Sequence, residues 1–131
     1  MTNRTASCSC GKLTLETTGE PVRVSVCHCH ACQRRTGSVF GVQARFGKED
    51  VRLGGASKVW VRRSEDGDEI RQHFCPECGS TVYYETESLE GFVGVPVGAF
   101  ADRTFPPPTV SVYEERMHPW VLLPPGIEHT W

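Results

Sequence analysis

The stretch Val26-Cys27-His28-Cys29-His30-Ala31-Cys32-Gln33-Arg34-Arg35-Thr36-Gly37-Ser38 sets three thiols within six residues and closes on a Thr-Gly-Ser turn. One loop of this spacing can place all three sulfurs on a single cation. Residues 30–35 leave room for a helical turn or two before Thr36-Gly37 stops them. Working outward, two thiol pairs flank the stretch at a distance, Cys8-Ser9-Cys10-Gly11 and Cys75-Pro76-Glu77-Cys78-Gly79. In the second pair the proline stiffens the bend. The trailing glycine of each pair lets backbone N–H groups approach the thiolates, which is the form of a zinc knuckle. A structural Zn2+ takes four soft ligands in a tetrahedron, whereas a reactive one takes three protein ligands and keeps a position open. The seven cysteines divide as four plus three. Cys8, Cys10, Cys75 and Cys78 then form a structural site that ties the N-terminus to the middle of the chain, and Cys27, Cys29 and Cys32 form the second. Spacing leaves another partition open, with Cys8 and Cys10 completing a site with two of Cys27, Cys29 and Cys32. It also leaves open a fourth ligand from His28, His30, His73, His118 or His129, which would make the second zinc as inert as the first.

The rest of the chain reads as β-structure. Apolar and polar residues alternate in residues 13–17, 59–62 and 81–85. Residues 22–26, 39–46, 70–74 and 92–97 also read as strands, bounded by turns such as Asp66-Gly67. The length of 131 residues suits one domain, and 13 glycines with 9 prolines favour turns over long helices. The expectation is therefore one mainly-β domain over residues 1–131, with a proline-rich segment from about residue 105 to 131 packed on it. Proline cannot donate to a ladder, so that segment belongs in loops or on an edge, pinned by Trp120, Leu122 and Leu123. An odd cysteine count and an N-terminus without an apolar stretch point to a reducing compartment, the cytoplasm, where clustered thiols bind metal. The longest nearly apolar run, residues 91–101, is about half of a membrane span. With 14 Lys+Arg against 16 Asp+Glu the net charge is −2, falling to about −5 once seven thiolates hold two Zn2+. No basic excess remains to neutralise phosphates, which disfavours nucleic acid as a partner.

The order Cys-x-Cys-Gly, then Cys27-His28-Cys29-x-x-Cys32 with basic residues and Thr36-Gly37-Ser38, then Phe74-Cys75-x-x-Cys78-Gly79, resembles the glutathione-dependent formaldehyde-activating enzyme (GFA) family, which includes the centromere protein V (CENP-V) domain. Pro119-Trp120-Val121 looks like that family's closing motif, so the resemblance covers nearly the whole chain. It implies an Mss4-like zinc fold of two packed sheets, a β-sandwich. It implies a structural zinc on Cys8, Cys10, Cys75 and Cys78 and a catalytic zinc on Cys27, Cys29 and Cys32. It further implies a carbon–sulfur lyase activity, in which glutathione and formaldehyde interconvert with S-hydroxymethylglutathione. Gln33 departs from the pattern, standing where relatives often carry a basic residue.

Beside these, Arg34 and Arg35 are candidates to clamp a carboxylate of the thiol substrate bidentately. Thr36 and Ser38 suit a turn stabilised by local hydrogen bonds. His28, between two ligands in an extended loop, faces away from them. Glu114, Glu115 and His118 read as a solvated stretch, and Trp60, Tyr83 and Tyr84 as core or sheet-face aromatics. Two functions fit: an enzyme acting on a small thiol or aldehyde, and a binding module with two structural zinc ions. A fourth protein ligand at the second site separates them.

Overall fold

Eleven strands and one short helix follow one another in a computed structural model that describes residues 2–130. They are β1 (Asn3–Ser7), β2 (Thr14–Thr18), β3 (Arg23–Cys27), α1 (His30–Thr36), β4 (Gly41–Gly47), β5 (Val51–Gly54), β6 (Lys58–Arg63), β7 (Glu69–Phe74), β8 (Thr81–Thr86), β9 (Phe92–Pro96), β10 (Val110–Val112) and β11 (Glu128–His129). A three-stranded sheet has the order β1-β2-β5, and an eight-stranded sheet the order β11-β10-β3-β4-β9-β8-β7-β6. The mainly-β expectation holds, and the helix ends where the sequence indicated. Gly37 caps α1 at φ +73°, with its N–H bonded to the carbonyl of Gln33 at 2.8 Å. The hairpin between β6 and β7 turns at Gly67, φ +89°, a conformation a side chain resists.

Alternation decides which face of each strand is buried. Leu15 and Thr17 point inward from β2 while Glu16 stays outside. Ala6 and Leu15 of the small sheet, with Leu13 just before β2, meet Val24, Ala44, Phe46, Val82, Val93 and Val95 of the large one, and Phe100 and Phe105 join this core. The Phe100 and Phe105 rings stack at 4.7 Å, with the Arg4 guanidinium over Phe105.

The opposite face of the large sheet carries the polar rung that matters below. Register pairs Arg23 with Arg45, Arg45 with Gly94, Gly94 with Tyr84, Tyr84 with Gln72, and Gln72 with Trp60. Two expectations need correction. Trp120 and Leu122 are 68% and 94% exposed, so they do not hold the C-terminal segment down. That is done by Ile127, by the parallel pairing of β11 on β10 and of β10 on β3, and by the Glu128 N–H to Thr109 carbonyl bond. Glu114 is not solvated; it is 7% exposed and bonded to His129 Nδ1 at 2.6 Å.

Candidate metal centres

The first group forms where the two knuckles meet. Cys8 Sγ accepts from the Leu13 N–H at 3.2 Å, and Cys75 Sγ from the Glu77 N–H at 3.4 Å. Gly11 and Gly79 follow at φ +83° and +82°, and their N–H groups reach the Cys8 and Cys75 carbonyls. Ser9 and Ser80 tie one knuckle to the other through their hydroxyls at 2.9 Å. The sulfurs of Cys8, Cys10, Cys75 and Cys78 lie within 4.8 Å of one another, with Cys8–Cys10 and Cys10–Cys75 at 3.6 Å. A tetrahedron with metal–sulfur bonds of about 2.3 Å has edges of about 3.8 Å, so this donor set fits Zn2+. All seven thiols are free, and none forms a disulfide. Backbone N–H groups of Ser80 and Cys10 hold the Cys78 thiol down to about 5. Such a group is readied for a cation.

The second group sits at the end of β3 and the start of α1. Cys27 closes the strand, Cys29 is the N-cap, and Cys32 lies in the first turn of the helix. Cys29 Sγ accepts the Cys32 N–H at 3.4 Å, so a candidate ligand also serves as the cap. Gln43 Nε2 donates to Cys32 Sγ at 3.6 Å from the neighbouring β4. The three sulfurs lie within 4.8 Å of one another. Among the described residues no histidine, carboxylate or further cysteine joins them. Without a cation three packed thiols cannot all ionise. Hydrogen bonding from Cys27 and Cys32 lowers the Cys29 thiol to about 2, and the same contact drives Cys27 upward.

Each of the five histidines is placed elsewhere or faces water. His28 is fully buried, its Nε2 2.9 Å from Ser111 Oγ. His73 lies between Ser57 Oγ and Glu85 Oε1, stacked on Tyr83 at 4.2 Å. His118 meets Gln33 Oε1, His129 meets Glu114, and His30 is exposed at the cavity rim. Gln33, the departure from the family pattern, is a clamp: its Nε2 donates to the carbonyls of His28 and Arg116, joining α1 to the turn after β10. Thr36 Oγ1 donates to the Cys32 carbonyl and accepts the Ser38 N–H, the local turn that the sequence suggested.

A cavity of about 700 Å³ opens on the three-cysteine group. Its floor is the large sheet from β3 across to β7. Its far wall is the β6–β7 hairpin tip, latched to the turn after β10 by Tyr113 Oη to Asp66 at 2.5 Å and Arg116 to Glu65 at 2.8 Å. Seven arginines line it against three carboxylates, Glu65, Asp66 and Asp68. Those carboxylates are engaged, by Arg116, Tyr113 and the Ser88 hydroxyl respectively. Arg34 and Arg35 both border the cavity, Arg34 exposed and Arg35 half-buried with a buried Nη2 that has no partner. Arg23 and Arg45 were not singled out from the sequence, and Tyr84 was read there only as a core or sheet-face aromatic. The signal for Arg23 was present: it lies four residues before Cys27 on one strand, and so on the same face. Burial, with the nearby thiols of Cys32 and Cys27, holds the Tyr84 phenol up at about 12, protonated and able to donate.

Residues 3–116 match the family described as glutathione-dependent formaldehyde-activating enzyme. A Fusarium vanettenii protein provisionally named as such an enzyme is 28% identical over 105 residues, covering 72% of this chain and 55% of its own length. The chain thus spans about half the length of that curated relative. The crystal structure of a Rhodobacter sphaeroides protein is similar with a TM-score of 0.55 at 22% identity, over 72% of this chain and 85% of that one, a likeness of fold. No helix among the described residues is long and apolar enough to cross a membrane. The cysteine order read from the sequence, the two sulfur groups and a match across residues 3–116 agree: the chain belongs to the glutathione-dependent formaldehyde-activating enzyme family.

Proposed function

We propose that this protein is a zinc-dependent carbon–sulfur lyase that joins and parts a thiol and an aldehyde, glutathione and formaldehyde being the pair. The observation that carries the reading is a group of three sulfurs, without a fourth ligand among the described residues, facing a cavity of about 700 Å³. Cys8, Cys10, Cys75 and Cys78 would hold a structural zinc, and Cys27, Cys29 and Cys32 a reactive one. Bound to these three thiolates, such an ion would supply Lewis acidity toward the aldehyde oxygen or the thiol. The chain's own residues set the conditions. The Cys32 N–H and the Gln43 amide orient two of the three sulfurs. The neutral Tyr84 phenol and the arginines give the cavity donors and positive charge, suited to an acidic thiol. In the forward direction the thiol loses its proton and its sulfur forms the C–S bond to the aldehyde carbon. The carbonyl π pair moves to oxygen, which takes up a proton; nothing is oxidised. The chemistry belongs in a reducing compartment such as the cytoplasm, where the thiols remain ligands.

The test compares wild type with Cys29→Ser and Cys78→Ser for zinc content, unfolding, and adduct formation from glutathione and formaldehyde followed by exchange NMR. Wild type should hold two zinc ions and exceed the uncatalysed rate. Cys29→Ser should stay folded with about one zinc and no acceleration. A folded Cys29→Ser protein with undiminished acceleration would remove the three-cysteine group from the chemistry. A wild type no faster than the solution reaction would leave a binding module.

A further inference from the structure

The cavity floor carries two arginines whose placement the zinc groups do not explain. Arg23 on β3 and Arg45 on β4 are register partners, directly opposite each other with side chains on the cavity face. Like charges at such a position are destabilising in a sheet. Among the described residues neither has a carboxylate within 4.0 Å. Arg23 Nε is buried with no hydrogen-bond partner. Burial first, and then the charge of Arg23, pull the Arg45 guanidinium below its ordinary value. The neighbouring arginines are occupied differently: Arg62 donates to Gln72 Oε1, Arg63 to the Gly67 carbonyl, and Arg116 pairs with Glu65. A half-buried pair of unneutralised guanidinium groups, facing a cavity and flanked by a protonated phenol, lacks one thing. It lacks an anion.

Position says which anion. Cys27, Ser25 and Arg23 alternate along the cavity side of β3, and Gln43 and Arg45 along that of β4. Four residues of strand separate Cys27 from Arg23, about 13 Å at the usual rise. A thiol engaged at the three sulfurs reaches that end only if it carries its charge some 10 Å from its sulfur. An extended peptide of about three residues has that span, and a two-carbon thiol does not.

We propose that Arg23 and Arg45, joined by the Tyr84 hydroxyl, form the subsite for a remote carboxylate of the substrate, so that the protein selects short acidic peptide thiols over neutral ones. This rests on the proposed thiol chemistry for its sulfur end, but the subsite itself is an anion site. Arg34 and Arg35, in the last turn of α1 and bordering the cavity, are left to the end of the substrate near the sulfurs.

Binding to zinc-loaded wild type, Arg45→Met, Arg23→Met and Arg45→Lys is measured by calorimetry with glutathione, its diethyl ester and 2-mercaptoethanol. Thermal unfolding is recorded with and without S-methylglutathione, whose sulfur is blocked. Wild type should prefer glutathione to the diester by tenfold or more. The preference should shrink to twofold or less in both methionine variants and be partly kept in Arg45→Lys, with 2-mercaptoethanol affinity unchanged throughout. Free Arg45→Met should melt no lower than wild type, because a repulsive pair has been relieved, and S-methylglutathione should raise the midpoint of wild type alone. An undiminished preference in both methionine variants overturns the proposal. So does an equal loss of 2-mercaptoethanol binding together with a lower midpoint, which marks the arginines as supports of the fold. If no thiol engages the sulfurs while S-methylglutathione still stabilises wild type and not the variants, the thiol chemistry fails and the anion subsite stands.

Discussion

Gly94 offers the sharpest probe of how the cavity floor is built. A Cβ at this position would lie 2.1 Å from Tyr84 Cζ and 2.5 Å from both Cε atoms, inside the ring's own volume. Carbon atoms settle at about 3.5 Å or more, so Gly94→Ala must move the ring by about 1.4 Å. The backbone cannot yield, since Tyr84 and Gly94 are register partners on β8 and β9. Alanine is locally the better strand residue by about 0.5–1 kcal/mol, whereas forcing a packed ring aside costs about 1–3 kcal/mol. The steric term wins, with a net loss of about 1–2 kcal/mol and a fall in the unfolding midpoint of roughly 4–8 °C for a chain of this size. Calorimetric melting of the zinc-loaded protein measures it, and a double-mutant cycle assigns it. In a Tyr84→Ala background the Gly94→Ala change should be neutral or stabilising, an interaction of at least about 1 kcal/mol. The displaced phenol should also weaken glutathione binding. Additive single effects, or a Gly94→Ala midpoint within a degree of wild type, would refute the argument that Tyr84 occupies the space a side chain would need.

Other outcomes follow from the same structure. Cys78→Ser should lose a ligand of the crosslinking group and unfold far more readily than Cys29→Ser, with at most one zinc retained, as read by elemental analysis alongside denaturant titration. Gln33→Ala should leave the buried His28 carbonyl without its partner and cost about 1–2 kcal/mol in urea unfolding, with faster amide exchange in α1. Burial raises the Glu114 carboxyl, but bonds from Ser111 and His129 outweigh it and hold the group below its usual 4.5. A depressed carboxylate contributes stability above its unfolded value and loses it as pH falls. The stability gap between wild type and Glu114→Gln should therefore be full at pH 6–8 and close progressively below about pH 4.5.

Much of this fold was legible because most of its strands carry their own signal. β2, β3, β4, β6, β7, β8 and β9 coincide with apolar, alternating segments, and α1 stops at the glycine that the sequence supplies. β1 was not legible: Asn3–Ser7 has no apolar run, and it becomes a strand by pairing with β2 from Asn3↔Thr18 to Ser7↔Thr14. β10 and β11 are three and two residues long and gain order only from parallel neighbours. Spacing marked all seven cysteines as candidate ligands but left two partitions open; the fold decides between them, because one knuckle packs against the other and brings Cys8 and Cys10 to Cys75 and Cys78. The arginine pair was not. Arg23 and Arg45 are brought together by sheet register, which no local pattern states. Trp120 and Leu122 misled for the opposite reason: hydrophobicity predicts burial on average, but a segment pinned by backbone pairing needs no such anchor.

The knuckle-to-knuckle contact also has a consequence for how the chain is made. Cys8 and Cys10 leave the ribosome before Cys75 and Cys78, the other half of their four-sulfur group. At about 5–20 residues per second that interval lasts several seconds, during which two thiols stand open to oxidants and to competing metals. The β1–β2 hairpin and β5 can pair in that time, since all three strands precede residue 55. The small sheet can therefore form before Cys75 and Cys78 are made, with Cys8 beside the Leu13 N–H, and closing the four-sulfur group then requires the knuckle after β7 to reach that hairpin.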